Sequence, residues 1–288
     1  MKRFFILLIT LLLTLSLFGC NEKGEQSNEQ SSQAAESSEE SKPENTKKLV
    51  SKKIVKNGTG KVSQTSLYKY NEKGQACEIT NVTDTDTRVI YTTYDKFGYE
   101  ADTITKDANG KFISHHQFER DEYEYVRVWR ILDEKGNVKS ENVYDVTRDD
   151  QGRMLEVYFN GELSSYYSYD EQGNVTERAA GIDSYTIYDK DGNVLERGSS
   201  THKQTNTYEN GRLTEINSQY GDTVYKTLYE YDGELLLSLT NYENDVITVK
   251  YLYEYDQDGD RTKETMQNGL GIASSITEYY YDEFVVQQ

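Results

Sequence analysis

The sequence predicts an all-β protein: a repeat array of antiparallel β-hairpins forming an open, curved or coiled single sheet. Three observations predict it. A glycine-centred turn signature returns about every twenty residues, with Gly152, Gly173, Gly192, Gly211 and Gly233 spaced 21, 19, 19 and 22 apart. Aromatic residues stand two apart ahead of these turns, as in Tyr167-Ser168-Tyr169, which puts both rings on one face of a strand. The one proline in 288 residues is Pro43, so every later backbone N–H is free to join a ladder. A helical reading fails because the apolar period is two rather than 3.6.

The chain opens with a targeting pattern. Met1-Lys2-Arg3 is a short positive start, and Phe4 to Leu17 is an apolar run broken only by Thr10, Thr14 and Ser16. That run is shorter than the roughly 20 residues of a bilayer span and reads as an export signal. It ends Leu17-Phe18-Gly19-Cys20, which resembles the lipobox of bacterial lipoproteins. The resemblance implies a signal peptide over 1–19 and acylation of Cys20. It also implies membrane attachment through that lipid, with the rest of the chain on the outer face of the cell membrane. An uncleaved anchor helix with a chance cysteine is the other reading of the same residues.

A linker follows. Residues 20–48 are read as the lipidated cysteine and a disordered Ser/Glu/Gln-rich tether. From 21 to 48 there is no aromatic residue and little apolar except Ala34 and Ala35. Such a segment cannot bury enough surface to offset its ordering entropy.

From residue 49 to 288 one pattern repeats: alternating aromatics, an acidic residue, two polar residues, a glycine, then a short returning strand. Copies include Tyr68-Lys69-Tyr70-Asn71-Glu72-Lys73-Gly74, Leu132-Asp133-Glu134-Lys135-Gly136, Tyr169-Asp170-Glu171-Gln172-Gly173, Tyr188-Asp189-Lys190-Asp191-Gly192 and Tyr255-Asp256-Gln257-Asp258-Gly259. The chemistry of one copy is a hairpin. Asp170 accepts backbone N–H groups at the turn start, and Gly173 supplies the positive φ of a three-residue loop with a G1 bulge. Val175 and Thr176 begin the returning strand. A single hairpin is unstable in water, so neighbours must pair edge to edge and stack their tyrosines. These copies resemble the YD or RHS repeat family of bacterial surface and toxin proteins, over roughly residues 66–284. The resemblance implies a winding ribbon of hairpins. About ten hairpins are too few for the closed shells of the large members, hence the expectation of an open sheet. Its exposed edges should be rich in charge or covered by a partner strand.

Charge narrows the function. With 32 Lys and Arg against 50 Asp and Glu, the formal net charge is −18, which argues against a nucleic-acid partner. Apart from Cys20 the one cysteine is Cys77, so no internal disulfide is expected. The three histidines are His115, His116 and His202, and no metal, nucleophile or phosphate-loop motif accompanies them. The chain is therefore read as a non-enzyme with no cofactor and no metal. Weak calcium candidates are Asp189 with Asp191, and Asp256 with Asp258 and Asp260, because alternate oxygens surround a glycine; a solvated hairpin turn is the competing reading. Ligand-binding candidates are the aligned rings Tyr251, Tyr253, Tyr255, Tyr279 and Tyr281, together with Trp129.

The expected protein is a lipid-anchored surface module that binds or displays something: a glycan, a wall polymer or another protein. The alternatives are a structural spacer without ligand and, further off, a wall hydrolase. An exposed tyrosine patch favours binding, and fully packed tyrosine rows favour a spacer.

Overall fold

The computed structural model describes residues 46–286. The signal peptide over 1–19, Cys20 and the linker as far as residue 45 lie outside the described residues. The described chain is a succession of hairpins without a helix. Its first ten strands are β1 (Thr46–Asn57), β2 (Val62–Tyr70), β3 (Ala76–Thr83), β4 (Thr87–Tyr94), β5 (Glu100–Asp107), β6 (Phe112–Arg120), β7 (Val126–Leu132), β8 (Val138–Arg148), β9 (Met154–Phe159) and β10 (Glu162–Tyr169). The other ten are β11 (Val175–Ala179), β12 (Ser184–Tyr188), β13 (Val194–Ser199), β14 (His202–Glu209), β15 (Arg212–Tyr220), β16 (Thr223–Asp232), β17 (Leu235–Glu243), β18 (Val246–Tyr255), β19 (Arg261–Asn268) and β20 (Ala273–Val285).

Each strand pairs antiparallel with the next, and β20 pairs antiparallel with β1 from Thr46↔Val285 to Asn57↔Ser275. The sheet is a closed barrel of 20 strands. The hairpin array is as the sequence predicts, but the open, curved sheet is not. Ten hairpins suffice to close it because the two end strands are charge-complementary. Lys56 on β1 meets Glu278 on β20 at 2.6 Å, and the ammonium groups of Lys52 and Lys53 lie over the rings of Tyr280 and Tyr279. The partner strand that the exposed edges require is the chain's own opposite end. β1 also begins at Thr46, so residues 46–48, read above as linker, belong to the sheet.

The turns fall on two rims. The proximal rim holds the start of β1 and the end of β20; the distal rim holds the β1–β2 turn. At Asp170, on the proximal rim, the Asp170 N–H donates to the Asn174 carbonyl and the Gly173 N–H to the Asp170 carbonyl, both at 3.1 Å. The Asp170 side chain accepts from the backbone N–H groups of Gln172 and Asn174, while Gly173 has φ 85°. This is the predicted three-residue loop. The same side-chain lock occurs on the distal rim at Asn57, Asp107 and Asp133. The Leu132–Gly136 copy therefore sits at the opposite end from those at Asp170, Asp189 and Asp256. The signature marks a reversal, not which rim carries it.

Strand alternation gives the wall two distinct faces. Tyr68, Tyr167, Tyr229, Tyr253 and Tyr279 share the inner one, and burial pushes their phenol pKa values up. Tyr158, Tyr185 and Tyr280 point outward, and a hydrogen-bonded glutamate, not burial, is the main cause of their upward shift. Twenty strands about 4.8 Å apart give a perimeter of about 96 Å and a radius of about 15 Å before tilt widens it. That is too wide for side chains to fill. Accordingly, Leu132, Val157 and Val286 are the buried apolar residues among those described, and no large side chain is fully buried.

Candidate functional site

The inner wall is the candidate site, and its construction begins with a gap in the ladders. The β1–β2 pairing runs from Lys56↔Val62 only as far as Lys52↔Leu67. The β3–β4 pairing stops at Glu78↔Tyr91, and that of β17 with β18 at Ser238↔Leu252. Beyond these points the strands diverge toward the proximal rim and leave backbone carbonyls without a ladder partner. Such groups need a donor.

Tyrosine supplies it. The hydroxyl of Tyr70 donates to the Val50 carbonyl at 2.7 Å, and that of Tyr94 to the Ala76 carbonyl at 2.8 Å. Tyr169, Tyr208, Tyr231, Tyr255 and Tyr281 donate in the same way to Met154, Val194, Leu213, Leu236 and Arg261. In the third hairpin Arg120 replaces the tyrosine and donates to the Glu100 carbonyl at 2.8 Å. In the copies Tyr167–Asp170 and Tyr253–Asp256 the second tyrosine thus bridges the wedge between two neighbouring turns, and the aspartate locks its own turn.

This divides the sequence-predicted binding residues. Tyr255 and Tyr281 are engaged with the wall. Tyr251, Tyr253 and Tyr279 stand on the same inner face, deeper in the barrel, and are half-buried. The Arg261 guanidinium lies 4.4 Å from the Tyr253 ring centroid, and the Lys53 ammonium 5.6 Å from that of Tyr279. The structure therefore brings the β18 and β20 tyrosines together on either side of β19. Trp129 is on β7 and does not join them. Its ring stacks on Phe118 at 6.3 Å, and its N–H donates to His116 Nδ1 at 3.2 Å.

The calcium candidates have other partners. Asp189 accepts the N–H groups of Asp191 and Asn193, and Asp191 pairs with Lys190 at 2.9 Å. Asp256, Asp258 and Asp260 do converge, but on the Lys48 ammonium, at 2.6, 2.9 and 2.8 Å. Hydrogen bonding from Lys48 is the main cause that holds the Asp256 carboxyl below its ordinary pKa. Nothing in the spacing of the acidic turn indicated that a lysine 208 positions away would fill it.

Sequence reasoning missed Glu177. Its carboxylate accepts from the hydroxyls of Tyr167 and Tyr188 at 2.9 and 3.0 Å. It is also felt through space by Tyr125, where burial is the main cause of a raised pKa and Tyr144 and Glu177 add to it. Tyr125 is four strands from β11 around the ring, so these side chains converge across the concave side.

The outer face differs. Cross-strand ion pairs run round it: Lys69–Glu78 at 2.7 Å, Lys203–Glu196 at 2.7 Å, Lys263–Glu254 at 2.7 Å, and Arg130 between Glu119 and Glu141.

The fold and the site together define a class: a closed antiparallel β-barrel with a polar, tyrosine-lined interior and a charged exterior. No protein-family model matches the chain, and no curated protein matches it. Among solved structures it is similar to a porin-like protein from Bacteroides vulgatus ATCC 8482, with 11% identity over 81% of this chain and 98% of that one, at a TM-score of 0.31. A porin-like protein from Bacteroides uniformis ATCC 8492 is similar at 11% identity over 81% of this chain and 96% of that one, with a TM-score of 0.32.

Proposed function

We propose that this protein is a lipid-anchored surface module whose barrel stands in water and takes an extended glycan or wall polymer into its lumen. The observation that carries this reading is the half-exposed tyrosine row on the inner face, above all Tyr251, Tyr253 and Tyr279. Arg261 and Lys53 hold Tyr253 and Tyr279 from one side, and the ring surface they leave exposed is what would stack on a sugar ring. Their hydroxyls add hydrogen-bonding groups at little entropic cost.

The outer face supports a barrel in water rather than in lipid. A membrane barrel presents an apolar band about 25 Å tall, and each Lys or Arg on it costs roughly 2–4 kcal/mol at mid-bilayer. The ion pairs on β2–β3, β6–β8, β13–β14 and β18–β19 interrupt any such band. Attachment through Cys20, as the lipobox resemblance implies, supplies the membrane contact that this wall does not.

The test is a glycan array and a cell-wall pull-down with the full chain, repeated with Tyr253→Ala and Tyr279→Ala. Retention on at least one polymer, reduced severalfold by either change, is expected. Silence in both assays from a folded barrel leaves the spacer, in which the tyrosines serve only the wall.

A further inference from the structure

The wall is not of even height. β1 and β20 have 12 and 13 residues, whereas β11 and β12 have 5 each and β13 has 6. At about 3.3 Å per residue the low side rises some 17 Å and the high side some 40 Å. The bridging tyrosines all lie next to the proximal turns, so the shortfall is a notch in the distal rim. A cavity of about 360 Å³ opens there.

Its chemistry is unlike the rest of the lumen. Glu177, Thr186 and Arg197 stand in one row across β11, β12 and β13. Ser184 and Ser199 pair one step nearer the rim. The third element is His202, whose ring stacks on Tyr220 at 3.9 Å and whose Nε2 is buried without a hydrogen-bond partner. Arg197 is the one arginine among the described residues that no hydrogen bond, ion pair or aromatic ring engages. The other lumenal guanidiniums are occupied: Arg120 by Asp95, Arg148 by Asp121, and Arg261 by Glu264 and the Tyr253 ring. An exposed, uncommitted guanidinium inside a protein of net charge −18 is a receiver for an anion. Its planar fork matches a carboxylate in bidentate geometry. The flanking hydroxyls of Ser184, Ser199 and Thr186, and the spare lone pairs of Glu177, suit the hydroxyls of a saccharide. Pockets of this volume hold a ligand of one or two sugar rings.

We propose that the notch is a binding subsite for an acidic sugar, with its carboxylate on Arg197 and its hydroxyls on the Glu177–Thr186 row and the two serines. The subsite rests on the lumen-binding reading above and adds the charge class of the ligand. Phosphate shares the chemistry that the guanidinium recognises, so the test separates the two.

The full chain is titrated calorimetrically with a uronic-acid oligosaccharide, with its methyl ester, and with a phosphorylated oligosaccharide of equal length. The acid is expected to bind at least tenfold tighter than the ester and tighter than the phosphorylated sugar. Arg197→Ala should bring the acid down to the ester's affinity and leave the ester and the far-ultraviolet circular dichroism unchanged, because no hydrogen bond or ion pair among the described residues depends on Arg197. Equal binding of acid and ester, or an acid preference that survives Arg197→Ala, overturns the subsite while the lumen reading stands. A tighter phosphorylated sugar overturns the carboxylate assignment. Silence toward all three overturns the subsite, and the lumen reading is then decided by the glycan array and the pull-down.

Discussion

The Lys48 ammonium lies 2.6 Å from a carboxylate oxygen of Asp256, 208 positions further along the chain. The contact reaches past β20 to the turn between β18 and β19, and Asp258 and Asp260 complete the cage. It fastens the first strand to the last hairpin, at the joint where an open sheet becomes a barrel.

Removing that ammonium leaves three carboxylates facing one another. Lys48→Ala should lower the melting temperature by several degrees at low ionic strength. The deficit should shrink as salt rises, because salt screens both the lost attraction and the new repulsion. Thermal melts followed by circular dichroism at two salt concentrations check this. An unchanged low-salt melt would mean that the β1–β20 ladder alone holds the seam.

The bridging tyrosines carry a second prediction. Tyr255 donates to the Leu236 carbonyl at 2.8 Å, beyond the end of the β17–β18 ladder. Tyr255→Phe keeps the ring and deletes the donor, so it should cost about 0.5–1.5 kcal/mol. In a domain of this size that corresponds to about 2–4 °C per kcal/mol. Tyr280→Phe, whose hydroxyl points outward to Glu278, should cost far less. Differential scanning calorimetry of the two variants should separate them; equal losses would deny the wedge its role.

What the sequence revealed follows from the range of each interaction. The Asp170 lock, the Gly173 reversal and the shared face of Tyr167 and Tyr169 are decided within seven residues, and each was readable from the local pattern. Closure is decided between residues some 230 positions apart. The lysines of β1 and the acids of β20 were visible singly, but nothing local pairs Lys56 with Glu278. The site divides in the same way. The alignment of Tyr251, Tyr253 and Tyr255 follows from strand period. That Tyr255 is committed to a backbone carbonyl depends on where the β17–β18 ladder stops, and no spacing encodes that. Glu177 and Arg197 looked like two more charges in an acidic chain until register set them in one row.

One turn departs from the pattern. Where most copies place glycine, the loop after Asp121 has Glu124, held at φ 67°. A non-glycine residue in this region costs about 1–2 kcal/mol. Glu124→Gly relieves that strain but removes the acceptor for the Tyr99 hydroxyl, an exposed bond at 2.9 Å. The net effect should be stabilising, by about 1 kcal/mol, seen as a raised denaturation midpoint with an unchanged slope. A lowered midpoint would show that the Tyr99 contact outweighs the backbone strain.

Burial of the inner tyrosines sets an alkaline limit. Burial is the main cause that pushes Tyr70, Tyr188 and Tyr253 up to about 12, from an ordinary value of 10.0. The folded state therefore favours the neutral phenol more strongly than the unfolded chain does. Its contribution to stability is complete below pH 10 and is lost as pH rises toward 12, where the unfolded chain has already given up its protons. Ionisation of these rings should coincide with loss of the sheet. Tyrosinate absorbance and the β-sheet circular dichroism signal, titrated in parallel, should change together in that window. A smooth rise in absorbance that is complete near pH 10, with the sheet intact, would show that the inner rows are as wet as the outer ones.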